Sequence, residues 1–219
     1  MASVQAAVER LCAKGIVAVV RADGSEQLLE VAAALLAGGV DCIEITMTTP
    51  NALQVIERCR KDLGEDALVG VGSVLDERVA TQAIDAGAQF VVSPIFDPHV
   101  ITRAHLDDLP AVAGAFSPTE IFNAARAGAD LVKVFPATRL GPSFFKDVLA
   151  PMPHLRLTPT GGVDLDTAAD FIKAGAVTLG VGSALVPKKA VRDGDFKTIQ
   201  DLAARFVAIV AEARKAKGA

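Results

Sequence analysis

Tryptophan and tyrosine are absent from this chain, and aromatic residues make up only 5% of it. The usual stacking platforms for nucleic-acid bases are therefore missing. No run of basic residues appears and the formal net charge is −4, so neither nucleic acid nor an anionic membrane surface is indicated as a partner. Cysteine is scarce. Cys12, Cys42 and Cys59 are odd in number and lack CxxC spacing, which points away from a disulfide framework or zinc and makes a reducing compartment the default. His99, His105 and His154 show no HxH or HExxH pattern, so solvated or capping roles are expected of them. The opening stretch MASVQAAVERLCAKG carries charges at helical spacing without a signal-peptide core, and no apolar run is long enough to span a bilayer. These absences lead to the expectation of a soluble, cytoplasmic protein.

What the chain does have is a repeated unit. Over 219 residues, 51% of them hydrophobic, short β-branched runs alternate with Ala/Leu-rich stretches of helical period. The expected strands are GIVAVVR (15–21), DCIEITM (41–47), ALVGVGS (67–73), AQFVVSP (88–94), AVAGAF (111–116), DLVKVF (130–135), RLTPT (156–160) and TLGVGS (178–183). Between them lie helix-like segments such as EQLLEVAAALLAGG and PTEIFNAARAGA, several ending in AGG or AGA, a C-cap that exits left-handed. Strands alternating with single helices imply a parallel sheet. Eight such units in a chain of about 200–250 residues fit a closed (β/α)8 barrel better than an open doubly wound sheet. No GxGxxG turn follows the first strand, which weakens a dinucleotide-binding reading, and no linker divides the chain. The expectation is one α/β barrel domain over 1–219, with an N-terminal helix before strand one.

A barrel gives function an address, the C-terminal ends of its strands. Arg21, Glu44 with Thr46 and Thr48, Ser73, Pro94, Lys133, Thr160–Gly162 and Gly182–Ser183 fall there. Side chains alternate along a strand, so Leu131, Lys133 and Phe135 share one face and Val132 and Val134 the other. If the valines face helices, Lys133 points into the barrel, where desolvation disfavours the ammonium and frees the amine to attack a carbonyl. A buried salt bridge explains such a lysine equally well at this point. Glu44 shares its face with Cys42 and Thr46 and should also point inward, either to move protons beside the amine or merely to pair with it. The glycine turns TPTGGV and GVGSAL follow the last two strands, where barrels commonly bind phosphate through backbone N–H groups and a short helix N-terminus. Asp107, Asp108, Asp164 and Asp166 read as loop or N-cap residues, and Lys188–Lys189 as solvated surface.

The stretches VAVVRA, AGGVDCIEITMTTPNAL, GVGSVLD, GAQFVVSP, SPTE, LVKVFPAT, GPSFFK, PTGGV and GVGSALV together resemble the bacterial KDPG (2-keto-3-deoxy-6-phosphogluconate) aldolases, class I aldolases of the Entner–Doudoroff pathway. The resemblance covers nearly the whole chain from Gly15. It implies that Lys133 forms an imine with the substrate ketone and that Glu44 is the general acid/base. It further implies that Ser73, Pro94 and Phe135 line the pyruvate end of the pocket, and Gly161, Gly162, Gly182 and Ser183 the phosphate end. No metal or cofactor is implied, because the imine acts as the electron sink that a Lewis acid would otherwise supply. The implied partners are pyruvate and a phosphorylated keto acid, and the implied assembly is a homotrimer. Where one branch of the family carries an arginine after its second strand this chain has Thr48, and Arg21, found in another branch, is the expected replacement for binding the substrate carboxylate. Ser73 stands for a more usual threonine; Ile95–Phe96 and Ala113 depart from relatives and are expected to reshape the middle of the pocket. Thr160 matches the gluconate-type enzymes. The resemblance leaves 4-hydroxy-2-oxoglutarate as an additional substrate and the galactonate epimer as the alternative. From another reaction class, a phosphosugar epimerase or isomerase on the same barrel would share the glycine turns but need no lysine in an apolar strand.

Overall fold

The computed structural model describes residues 4–218; residues 1–3 and 219 of the expected domain lie outside the described residues. In chain order the elements are α1 (Val4–Lys14), β1 (Ile16–Val20), α2 (Leu28–Ala37), β2 (Cys42–Thr46), α3 (Ala52–Leu63), β3 (Leu68–Gly72), α4 (Glu77–Asp85), β4 (Val91–Val92), α5 (Pro98–Leu106), β5 (Ala111–Ala115), α6 (Pro118–Arg126), β6 (Leu131–Val134), α7 (Gly141–Leu149), β7 (Leu157–Pro159), α8 (Ala168–Lys173), β8 (Leu179–Val181), α9 (Lys188–Asp193) and α10 (Phe196–Gly218). The strands pair in parallel in the order β7-β6-β5-β4-β3-β2-β1-β8. A bridge between Thr160 and Gly180 joins the two ends, so the sheet is a nearly closed (β/α)8 barrel of one domain. The phrases read as left-handed helix exits do exit that way, with φ of 92° at Gly39, 96° at Gly87, 99° at Gly128 and 108° at Gly175.

Alternation along the strands splits the core into two apolar layers. Ile16, Ala18, Ile43, Ile45, Val69, Val71, Val132 and Val134 face the helices. Val17, Cys42, Leu68, Val92, Val112 and Leu131 face inward with Phe90, and Ala7, Val8 and Leu11 of α1 join them. The N-terminal helix is therefore a plug for one end of the barrel. Arg10 fixes it there, pairing with Asp41 at 3.0 Å and donating to the carbonyls of Glu65 and Asp66. At the same end, Arg214 of α10 donates to the carbonyls of Cys12, Ala13 and Val177. Phe90 fills the interior because Gly70 leaves room: a Cβ at Gly70 would lie 2.5 Å from its ring.

The strand expected over 88–94 is shorter, only Val91–Val92. The Ser93 side chain accepts a hydrogen bond from the Ile95 N–H at 3.2 Å, and Pro94 has no N–H to offer a ladder, so the chain bends out of the sheet. Gly114 in β5 accommodates that bend, since a Cβ there would sit 2.1 Å from the Pro94 carbonyl carbon. Ala113 faces the helix layer, with Val112 and Gly114 on the barrel side. This corrects the expectation that Ala113 reshapes the pocket, because the strand's period turns it the other way.

Candidate active site

Lys133 and Glu44 meet inside the barrel. Val132 and Val134 pack against helices, so the odd positions of β6 point inward, as alternation requires. Glu44 projects from β2, separated from Gly114 on β5 by strands β3 and β4. The Lys133 Nζ lies 3.6 Å from Glu44 Oε1, with side chains only 7% and 3% exposed. That Oε1 is buried and accepts no hydrogen bond among the described residues. Burial pushes the Glu44 carboxyl above the usual carboxylate range, opposed first by the Lys133 ammonium and more weakly by Arg21. A carboxyl group raised in this way, with an unused lone pair, is suited to exchanging a proton with whatever binds the lysine.

Two glycines create space inside the barrel, one for Glu44 and one for Thr160 beside the pair. A Cβ at Gly72 on β3 would lie 1.8 Å from Glu44 Oε1, and one at Gly180 on β8 would lie 2.2 Å from the Thr160 hydroxyl. Phe135 follows Lys133 on the same face; its ring centroid is 5.5 Å from the Nζ, close enough for a cation–π contact. The ring is 37% exposed and forms the step from the buried pair to the mouth.

A cavity of about 310 Å3 opens beside it, walled by Phe135, Thr160, Gly161, Gly162, Gly182 and Ser183, with Arg21 and Lys188 at its edge. Gly161 and Gly162 hold φ of 84° and 75°, and a Cβ at Gly162 would lie 2.8 Å from Thr138 Cα, so both conformation and space call for glycine. The segment after β8 is a turn in which the N–H groups of Leu185 and Val186 both donate to the Gly182 carbonyl. A second, small space of about 20 Å3 lies below, lined by Glu44, Lys133, Thr158, Thr160, Thr178 and Gly180 among others. The two spaces share Thr160 and Gly180.

Thr48, Ser73 and Pro94 occupy the same rim, following β2, β3 and β4, but line neither space. The Thr48 hydroxyl is hydrogen-bonded to that of Thr46 at 3.0 Å. Ser73 holds an uncommon φ of 62°. Gly72, Gly180 and Lys188 are additions from the structure. The alternating glycines of GVGS hinted at the first two, whereas Lys188 read as plain surface. His105 pairs with Asp130 at 3.0 Å, away from the rim. No group of three or more metal-ligating side chains occurs among the described residues.

Comparison with known proteins places these observations in a family. A model for KDPG and KHG aldolases matches residues 8–202. The chain is 37% identical over 196 residues to a 2-dehydro-3-deoxy-phosphogluconate aldolase of Treponema pallidum, covering 89% of this chain and 93% of that protein. It is 34% identical over 183 residues to a probable 2-dehydro-3-deoxy-6-phosphogalactonate aldolase of Rhizobium meliloti, covering 83% and 86%. Its structure is similar to that of the KDPG aldolase of Legionella pneumophila captured with pyruvate as a covalent carbinolamine, with a TM-score of 0.84 at 25% identity over 90% of this chain and 96% of that one.

Proposed function

The chain belongs to the KDPG and KHG aldolase family, and from that membership we propose that it is a Schiff-base aldolase cleaving 2-dehydro-3-deoxy-6-phosphogluconate to pyruvate and D-glyceraldehyde 3-phosphate. The observation that carries this reading is the buried Lys133–Glu44 pair, 3.6 Å apart, beneath a cavity edged by two glycine turns. Lys133 attacks the C2 ketone to give a carbinolamine, which loses water to a protonated imine. Glu44, directly or through a water, takes the proton of the C4 hydroxyl as the C3–C4 bond breaks. The bonding electrons flow into the imine, leaving an enamine and releasing the aldehyde. Protonation of the enamine at C3 and hydrolysis of the imine then return pyruvate and the free lysine.

In this reading Arg21, together with Thr48, Ser73 and Pro94 on the rim, contacts the pyruvate portion, and Gly161, Gly162, Gly182 and Ser183 hold the phosphate through main-chain N–H groups and the serine hydroxyl. Thr160, buried between the two spaces, matches the gluconate-type enzymes, and on that resemblance the substrate is the gluconate and not the galactonate epimer. Cleavage of 4-hydroxy-2-oxoglutarate to pyruvate and glyoxylate is an additional activity of the same machinery. The assembly in this reading is a cytoplasmic homotrimer. Exposed Ile95, Phe116 and Phe122 around strands β4 and β5 are apolar surface available to it.

Reduction with borohydride in the presence of pyruvate tests the mechanism. A pyruvyl adduct on Lys133, located by mass spectrometry and missing in Lys133→Ala, is expected. No adduct under conditions that label a control aldolase would refute it. Cleavage rates of the two C4 epimers then decide the substrate.

A further inference from the structure

Lys188 lies where the glycine turns end. The chain leaves β8, folds back through the turn at Gly182, and Pro187 (φ −65°) starts α9 with Lys188 as its first residue. This return brings a lysine only five residues beyond Ser183 to the edge of the 310 Å3 cavity. Arg21 and Lys188 are the charged residues of that lining, and no carboxylate contributes to it. Beyond them lies an adjoining hollow of about 330 Å3, which both residues also line, together with Asp23, Glu26 and Arg192. Lys188 therefore stands on the boundary between a carboxylate-free space and one that contains acids.

Its present partner is Asp23, in the loop after β1, with Nζ to Oδ1 at 2.8 Å. The side chains are 60% and 82% exposed, and ion pairs in water of this kind contribute little. Exchanging Asp23 for another anion therefore costs little, whereas a doubly charged phosphoryl group offers more charge and three acceptor oxygens. Lysine also suits such an exchange, because its flexible stem carries a point charge that need not meet its ligand in one fixed plane.

Resting on the aldolase reading above, we propose that Lys188 is a specificity-determining residue for the phosphorylated substrate: its ammonium exchanges Asp23 for the substrate phosphate held by the two glycine turns. Arg21, at the edge of the same cavity, remains the residue that the aldolase reading gives to the substrate carboxylate. The Lys188–Asp23 pair becomes a latch between α9 and the β1 loop that phosphate releases.

The test uses Lys188→Met, which keeps the length of the side chain and removes its charge, and Lys188→Arg as rescue. Addition of pyruvate to D-glyceraldehyde 3-phosphate and to unphosphorylated D-glyceraldehyde is measured side by side. In Lys188→Met the preference for the phosphorylated aldehyde, as a ratio of kcat/KM values, should fall about tenfold, mostly through KM, and Lys188→Arg should restore most of it. An unchanged ratio, or equal losses on both aldehydes, would overturn the proposal. Thermal stabilisation by inorganic phosphate, against chloride at equal ionic strength, tests the site without catalysis. Wild type should respond, Lys188→Met should respond much less, and Asp23→Asn should respond at least as strongly as wild type. If Asp23→Asn loses the response as Lys188→Met does, the pair is only a bracket and the exchange is refuted. Failure of borohydride trapping in wild type would sink the aldolase reading, while the phosphate response would still decide the role of Lys188.

Discussion

Replacing Gly72 with alanine tests whether the Glu44 geometry is what makes the site work. The added methyl would lie 1.8 Å from Glu44 Oε1 and 2.4 Å from its Cδ. An ordinary contact begins at 3.4 Å, so the carboxylate must retreat by roughly 1.6 Å or the strand must shift. Either movement breaks the 3.6 Å approach to Lys133. Misplacing a catalytic group by about 1 Å costs on the order of 10²-fold, so kcat should fall about a hundredfold or more, near 2.7 kcal/mol of transition-state stabilisation. Overpacking itself should cost about 1–3 kcal/mol of stability, leaving the protein folded. Pyruvate release coupled to lactate dehydrogenase measures kcat, and urea unfolding measures the stability change. Gly70→Ala, one inward position below, supplies the control: its methyl meets the Phe90 ring at 2.5 Å instead of Glu44. That variant should lose stability while losing far less activity. If Gly72→Ala keeps kcat within about threefold of wild type, or Gly70→Ala falls just as far, the position of Glu44 does not determine the rate.

Burial raises the Glu44 pKa from its ordinary 4.5, so the acidic limb of kcat/KM should lie above pH 4.5 and disappear from the residual activity of Glu44→Gln. The same shift has a stability consequence: the folded chain binds this proton more tightly than the unfolded one, so the contribution is present below pH 4.5 and lost as pH rises through the raised value. Urea unfolding of wild type against Glu44→Gln across that range should show the difference in slope. Arg21→Ala should raise the KM for pyruvate several-fold, and an unchanged KM would remove Arg21 from carboxylate binding. Ser117 caps α6 by accepting from the Glu120 N–H, while Glu120 accepts from the N–H groups of Phe116 and Ser117, so Ser117→Ala should cost about 1 kcal/mol by urea unfolding with kcat retained.

Periodicity made much of this molecule readable in advance. A period of two in DLVKVF puts the valines outward and the lysine inward, and the same rule orients Glu44 in CIEITM; both hold in the structure. The barrel follows from eight repeats of one unit, because each unit obeys the same local rules of strand, helix and glycine exit. What could not be read were relations between units. Gly72 looks like any strand glycine until β2 is laid beside β3 and the methyl it lacks is found where Glu44 must be. Ala113 departs from relatives, which marks it as a pocket residue, yet its register beside Val132 gives it to the helices.

Lys188 is the sharpest case of the same limit. Next to Lys189 in a polar stretch, it has every local mark of solvated surface, and Lys189 does pair with Asp193 one turn along α9. Only the return of the chain from β8 sets Lys188 beside Arg21 and against Asp23, which lies 165 positions away in the chain. Local pattern thus determines which way a side chain points within its own strand, while closure of the barrel determines what it meets. The chemistry of this site depends on both: the Lys133 amine is positioned by its strand, but its carboxylate partner and the space for that carboxylate arrive from other strands, and the cations at the mouth from the loop after β1 and the start of α9.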